Sequence, residues 1–468
     1  MVFSSTVFLF LFLPAVWLLY LLIPGRYITA RNVLLGIASL LFYAYGEPIY
    51  IAIMLLSVLF NYCAARSIGT ARERDDDGRR RILTVFSVVI NLIILGFFKY
   101  VPWLCSLLPF DIPLPGLSLP VGISFYTFQV LSYVLDVSRG QCRVQKNYFD
   151  LLLYISFFPQ LIAGPIVAYD AIEAQLTERT VTPDKTADGI RRFVLGLSKK
   201  LLISNTAAVI ADAAFAAAAP SAVFAWAGAI CYSVQIYFDF SGYSDMAIGL
   251  AAMFGFEICE NFNYPYSAVS IRDFWKRWHI SLTNWFRTNV YIPLGGNRVS
   301  GARTIFNRIF VFFLTGIWHG ANFTYILWGL WHGGLMMLER LCRFDVLEKK
   351  RTLHLPLRVY TLLCVVLGFV MFRAPSVGEG FSFIGRMFSF DGNGADVLGY
   401  FSPYTVTMLL CGLLLSAPVF PALRNVFSSR GLESVWHGIV SVICIPLFLL
   451  CVMTLASSAF NPFIYYIF

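Results

Sequence analysis

The stretch FLTGIWHGANFTYILWGLWHGGLMML, Phe313 to Leu338, decides how this chain is read. It contains no Lys, Arg, Asp or Glu, yet it holds two of the five histidines, His319 and His332, each inside a Trp-His-Gly triplet. An imidazole in so apolar a setting is costly unless something satisfies it or uses it. The flanks are basic on both sides: Arg287, Arg298, Arg303 and Arg308 before, Arg340, Arg343, Lys349, Lys350 and Arg351 after. Basic residues collect on the cytoplasmic side of membrane proteins, so both ends belong there. The segment then enters and returns, with its turn at His319-Gly320-Ala321-Asn322. Arms running from Ile309 to Trp318 and from Asn322 to Leu338 reach roughly 15 and 25 Å, against a hydrocarbon core of about 30 Å. The expectation is a hairpin whose tip carries His319 inside the membrane, short of the far surface.

The rest of the chain has the same character. Only 13% of the 468 residues are charged, about half the share of a soluble domain. Too little polar surface remains to cover a water-facing globule. Apolar runs predict about ten full spans, near 5–23, 33–45, 48–65, 82–100, 119–137, 190–218, 222–245, 357–373, 403–418 and 435–458. The first run has no basic residue before it and no small-residue cleavage site, so it is read as a retained span. The loop RSIGTARERDDDGRRR, 66–81, is rich in arginine; placing it inside puts both termini outside. The net charge of +9 is thereby an orientation signal, and no nucleic-acid partner is expected. Ten scattered cysteines without a CxxC read as small apolar residues, with no disulfide or metal role. No repeat or soluble domain interrupts 1–468, which reads as a single all-α polytopic membrane domain.

A second broken segment is YFDLLLYISFFPQLIAGPIVAY, 148–169. Pro159 and Gly164-Pro165 interrupt it, and basic residues flank it on both sides. Broken backbone at membrane depth survives only inside protein or against water, so this re-entrant piece is expected to line a cavity.

Four groups of residues could carry chemistry. His319 leads, because neutral imidazole is the usual general base near neutral pH. Trp318 and Asn322 beside it, and His332 further along the second arm, are supporting candidates. The stretch SIRDFWKRWHISLTNWFRTNVYIPLGGNR, Ser270 to Arg298, mixes Arg272, Lys276, Arg277 and Arg287 with Trp275, Trp278 and Trp285. Such a mixture suits a membrane–water interface, and it equally suits a mouth for a phosphate-bearing acyl donor. His279 in this stretch could help at that mouth. In SVQIYFDFSGYSDMAIGL, Ser233 to Leu250, the polar residues Gln235, Asp239, Ser241, Tyr243 and Asp245 interrupt an apolar run. The carboxylates must face protein or water, and Gly242 would allow a helix break lining a tunnel. In SLPVGISFYTFQ, Ser118 to Gln129, Ser124 is a weaker tunnel candidate. No GxSxG, HExxH, Walker loop or GxGxxG stands in a usable context, so neither a serine-hydrolase triad nor a metal site is expected.

In order along the chain, LPVGISFYTFQ, FPQLIAGPI, DFSGYSDMAIG, DFWKRWHISLTNWFRTNVYIPLGGNR and GIWHGANFTYILWGLWHG resemble the membrane-bound O-acyltransferase (MBOAT) family. The likeness is to its branch of alginate and peptidoglycan O-acetyltransferases, with D-alanyl transfer proteins more distant. It covers nearly the whole chain, and the motif-bearing part is about 118–340. The resemblance implies a ring of helices around a thin partition pierced by a tunnel, in a bacterial cytoplasmic membrane. It implies that the family's near-invariant histidine is His319 and its second motif histidine is His279. It implies acetyl-CoA as a cytoplasmic donor substrate, no tightly bound cofactor, a hydroxyl acceptor outside, and a separate extracytoplasmic acetyltransferase of the SGNH type as partner. D-alanyl transfer, a transporter and a non-enzymatic scaffold are the alternatives.

Overall fold

A computed structural model describes residues 1–109, 118–389 and 394–457. Among them every element is helical and there is no strand. This follows from the setting: in lipid a helix satisfies its own backbone groups within one segment. The principal helices are α1 Phe8–Leu22, α2 Ile28–Gly46, α3 Ile51–Glu73, α4 Asp77–Ser106, α5 Ile123–Arg139, α6 Tyr148–Ser156, α7 Phe158–Leu161 and α8 Tyr169–Thr177. They continue with α9 Pro183–Ala216, α10 Ala222–Met253, α11 Ile271–Arg277, α12 Ile280–Phe286, α13 Gly301–His319 and α14 Phe323–Leu341. The last are α15 Arg351–Arg373, α16 Val377–Met387, α17 Pro403–Leu415, α18 Val419–Ser429 and α19 Glu433–Ser457.

Seven of these are long and apolar enough to cross a membrane, or eight if α17 and α18, bent by 61°, make one span. The sequence reading of about ten is not confirmed by this count among the described residues. The two runs that fall short are α1, which is a shorter apolar helix, and α5, which has 17 residues. The helix α5 is buried along nearly its whole length, so protein surrounds its apolar side chains. Where the apolar face meets no protein, it stays exposed: only 17% of the apolar window of α19 is buried, against 78% for α10.

The chain divides into two compact units. The first takes Met1–Phe193 and Tyr243–Cys259, the second Val194–Gly242 and, from Glu260 on, the rest of the described chain. The first unit is packed with aromatic rings: Phe3 against Phe8 at 5.0 Å, Phe8 against Phe42 at 5.9 Å, and Phe42 against Phe158 at 5.6 Å. Buried Arg179 belongs to this unit. Its Nη1 donates to Asn32 Oδ1 at 2.7 Å and its Nε to the Tyr20 hydroxyl at 3.0 Å, while the guanidinium lies 4.3 Å from the Phe256 ring.

The 148–169 segment is broken as expected: Gly164-Pro165 lies in the non-helical stretch between α7 and α8, and the first break falls at Phe157, two residues before Pro159. The helix stops at Ser156, Phe157 turns out with ψ 107°, and Pro159 sits in the first turn of α7. A proline tolerates that position because its missing N–H would be unpaired there anyway. In the second unit the expected hairpin is also present, as α13 and α14. A Cβ on Gly316 would run into the Tyr325 carbonyl oxygen, and one on Gly329 into that of Phe312, so the two arms touch backbone to backbone. The arms are not unequal, however. Each has 19 residues, about 28 Å at the helical rise. The first begins at Gly301, where Ser300 caps it, rather than at Ile309. The charged residues Arg303 and Arg308 thus lie within the helix.

Candidate active site

His319 is the last residue of α13, and the turn that follows explains its position. Asn322 caps α14, its Oδ1 accepting the Thr324 N–H at 3.1 Å, while its Nδ2 donates to the Pro375 carbonyl at 2.8 Å. One side chain therefore ends the turn, starts the next helix and ties both to the chain beyond α15. His319 is only 2% exposed. Its ring stands edge-on to Trp318 and Trp328, both at 5.0 Å, and to Phe372 at 5.2 Å. The tip thus packs beside the C-terminal end of α15, while Ala321 and Asn322 are partly exposed and Phe323 is exposed.

His279 is not at a surface mouth, as the sequence reading had it. It is fully buried and adopts a left-handed backbone, φ 44° and ψ 54°, between α11 and α12. Its ring meets Phe240 at 4.7 Å and Trp318 at 6.0 Å. Trp318 therefore stands between the two histidines named as catalytic from the sequence. His332 joins the same cluster through Trp328, at 5.2 Å, and packs also on Trp275 at 5.3 Å. Neither of its ring nitrogens meets a hydrogen-bond partner among the described residues.

The basic stretch splits in two. Arg272 pairs with Glu348 at 2.8 Å and Arg277 with Asp273 at 2.9 Å, and Trp278 is buried. Lys276 and Arg287 are exposed. A residue the sequence reading missed fixes this stretch: buried Glu339 on α14 accepts the backbone N–H groups of Ile271 at 2.5 Å and Arg272 at 3.2 Å. A carboxylate at a helix N-terminus satisfies donors that have no partner within the helix.

The expected break in the third group is absent. The helix α10 is continuous through Asp239, Ser241, Gly242, Tyr243 and Asp245. Gly242 serves close approach instead: a Cβ there would lie 2.7 Å from the Gly196 carbonyl oxygen. Buried Asp239 pairs with buried Lys200, which lies in a π-helical stretch of α9, Lys199–Ser204. Gln235 lies 3.4 Å from Arg373 Nη1, and its carbonyl accepts from Ser204 Oγ at 3.0 Å. Ser241 is buried. The remaining candidates belong to the first unit. There Asp245 pairs with Arg192 at 2.9 Å, Tyr243 stacks on Phe3 at 4.7 Å, and Ser124 lies 3.1 Å from the buried Lys99 Nζ. The second unit thus gathers His279, Trp318, His319, Trp328 and His332. The carboxylates of α10, read as tunnel lining, are held in ion pairs. The partner cations escaped notice because Arg192 was read as a sidedness signal and Lys200 was absorbed in an apolar run.

Comparison with known proteins gives the family. The model of the MBOAT, membrane-bound O-acyltransferase, family matches residues 143–377, which include all five of those side chains. A probable alginate O-acetylase AlgI of Azotobacter vinelandii is 40% identical over the full length of both chains. The peptidoglycan O-acetyltransferase of Helicobacter pylori is 35% identical over 69% of this chain and 67% of its own. The teichoic acid D-alanyltransferase of Bacillus subtilis is 27% identical over 62% of this chain and 78% of its own. With its helical membrane architecture and these matches, the chain is an integral membrane acyltransferase that belongs to the membrane-bound O-acyltransferase family.

Proposed function

We propose that this protein moves an acetyl group from cytoplasmic acetyl-CoA to a hydroxyl on the outer side of a bacterial cytoplasmic membrane, for O-acetylation of a cell-surface polysaccharide. The observation that carries the reading is His319. It is buried at the end of α13 beside a capped turn, in the stretch that bears the resemblance. The relatives named as alginate O-acetylase and peptidoglycan O-acetyltransferase supply the acyl group and the two acceptor classes.

In this reading His319 takes the proton of the incoming hydroxyl as its oxygen attacks the thioester carbonyl. The tetrahedral adduct collapses, the C–S bond breaks, and the thiolate of coenzyme A leaves and recovers a proton. General-base assistance of this kind contributes about 10²–10⁴-fold. The aromatic walls of Trp318, Trp328 and Phe372 hold the imidazole in one orientation and keep water from the thioester. Exposed Lys276 and Arg287 are the cations suited to the donor's phosphates, with Arg272, Arg277 and Trp278 as their frame. A tunnel joins the donor and acceptor sides, both termini lie outside, and an extracytoplasmic SGNH-type acetyltransferase completes delivery to the glycan. D-alanyl transfer is the second reading; it is favoured less because the D-alanyltransferase likeness is the weaker in identity.

The test is a strain lacking the gene, complemented with wild type or with His319→Ala, in which ester-linked acetate on capsule and cell-wall glycans is measured by mass spectrometry. Wild type restores one class of acetyl ester and the variant restores none, at equal protein level in the membrane. Normal acetylation by the variant refutes the role of His319 and favours a scaffold. Loss of D-alanine in place of acetate selects the second reading.

A further inference from the structure

Asn261 has no place in the site as read from the sequence, yet it controls the atoms of His279. It is fully buried in the chain between α10 and α11. Its backbone carbonyl accepts the Ile280 N–H at 2.9 Å. Its side-chain Oδ1 lies 3.2 Å from the Ser281 backbone nitrogen, 2.9 Å from Ser281 Oγ and 3.2 Å from His279 Nδ1.

These contacts fix a proton. A backbone N–H can only donate, so the side-chain atom facing Ser281 is the amide oxygen and not the amide nitrogen. A ring nitrogen that points at the same oxygen must then carry hydrogen. In a neutral imidazole the other nitrogen, Nε2, holds the lone pair. The backbone holds the ring in place. His279 sits in the left-handed region, which a side chain other than glycine adopts only when its surroundings hold it there. The two Asn261 oxygens clamp the two residues that follow it. The ring is then held edge-on to Phe240, 6.0 Å from Trp318, whose own ring is 5.0 Å from His319.

We infer that Asn261 is a positioning residue that locks His279 in its Nδ1–H tautomer, presenting Nε2 as the accepting nitrogen in the cluster that holds His319. The inference deepens the acyl-transfer reading and rests on it for the role of Nε2; the tautomer itself does not. A role confined to clamping the turn would leave the tautomer unspecified, so the two are separable by spectroscopy.

The experiment uses full-length protein labelled with 15N-histidine in lipid, where His279→Gln identifies the His279 signals among five histidines. Wild type is expected to show a protonated Nδ1 and a bare Nε2. In Asn261→Leu, which lacks the acceptor, that single tautomer is lost. Turnover of acetyl-CoA falls at least about 10-fold in kcat, within the range a general acid–base group contributes, while KM changes less than about 2-fold. Asn261→Asp keeps the acceptor oxygen and restores both tautomer and kcat. A wild-type ring carrying hydrogen on Nε2, or on both nitrogens, overturns the inference, as does Asn261→Leu with wild-type tautomer and kcat. Should Asn261→Leu fail to fold, the wild-type and Asn261→Asp spectra still decide. A wild-type protein with the expected tautomer but no acetyl-CoA turnover sinks the donor reading alone.

Discussion

The hairpin around His319 and the helix α10 look alike as sequence and differ as structure. Both are apolar runs interrupted by polar residues and glycine, WHGAN in one and DFSGYSD in the other. The first breaks: α13 ends at His319, and Asn322 caps α14. The second does not: α10 runs from Ala222 to Met253 without interruption. The difference lies in where the polar groups find partners. Asn322 serves the backbone, satisfying an N–H freed by the turn. Asp239 and Asp245 find side-chain cations, Lys200 and Arg192, on another helix, and need no break. A glycine decides nothing alone. Gly242 admits a neighbouring backbone to a helix that continues. The comparison also separates settings: in α10 the carboxylates hold helices together through ion pairs, and in the hairpin the imidazoles pack among aromatic rings.

This separation can be broken most severely at the buried pair. Lys200→Met or Asp239→Leu alone strands a charge inside the protein and is expected to cost about 3–5 kcal/mol. Folded protein in membranes falls sharply. The double variant recovers most of that level, because two apolar side chains leave no charge unpaired. Detergent-resistant thermal melting of the four proteins gives the coupling. A double variant that is stable but inactive would move Asp239 from architecture into the reaction.

A smaller effect is expected at the cap. Asn322→Ala removes one hydrogen bond at the start of α14 and the tie to Pro375, worth about 1 kcal/mol for the cap. The protein stays folded, melts a few degrees lower, and loses part of its turnover as His319 gains freedom. Asn322→Asp keeps the cap and should recover the melting temperature. Full activity in Asn322→Ala would show that the turn need not be pinned for the reaction.

Much of the fold was legible in the sequence, though not this contrast, and the limits have physical causes. Helicity and membrane insertion follow from the low share of charged residues and the long apolar runs between them. The hairpin follows from Gly320 and Asn322 between arms with basic flanks, and His319 stands out because an apolar run makes an imidazole conspicuous. The start of α13 was misplaced because Arg303 and Arg308 were treated as loop, although Ser300 opens the helix before them. The apolar length of α5 could not show that protein surrounds nearly all of it. The pairing of Asp239 with Lys200 joins residues 39 positions apart, and Asn261 reaches His279 across 18 positions. No local spacing encodes either. Glu339 was unread for the same reason, since the helix it caps lies far behind it in the chain.

The most direct test of the central claim is release of free thiol from acetyl-CoA by the purified full-length protein in lipid vesicles, with an SGNH-type acetyltransferase added and alginate or peptidoglycan oligosaccharides as acceptor, for wild type and His319→Gln. Wild type should release coenzyme A in step with acceptor acetylation, and the variant, equally folded, should lose at least about 10²-fold, the lower range for a general base. Equal thiol release and equal acetylation by the two proteins would contradict it.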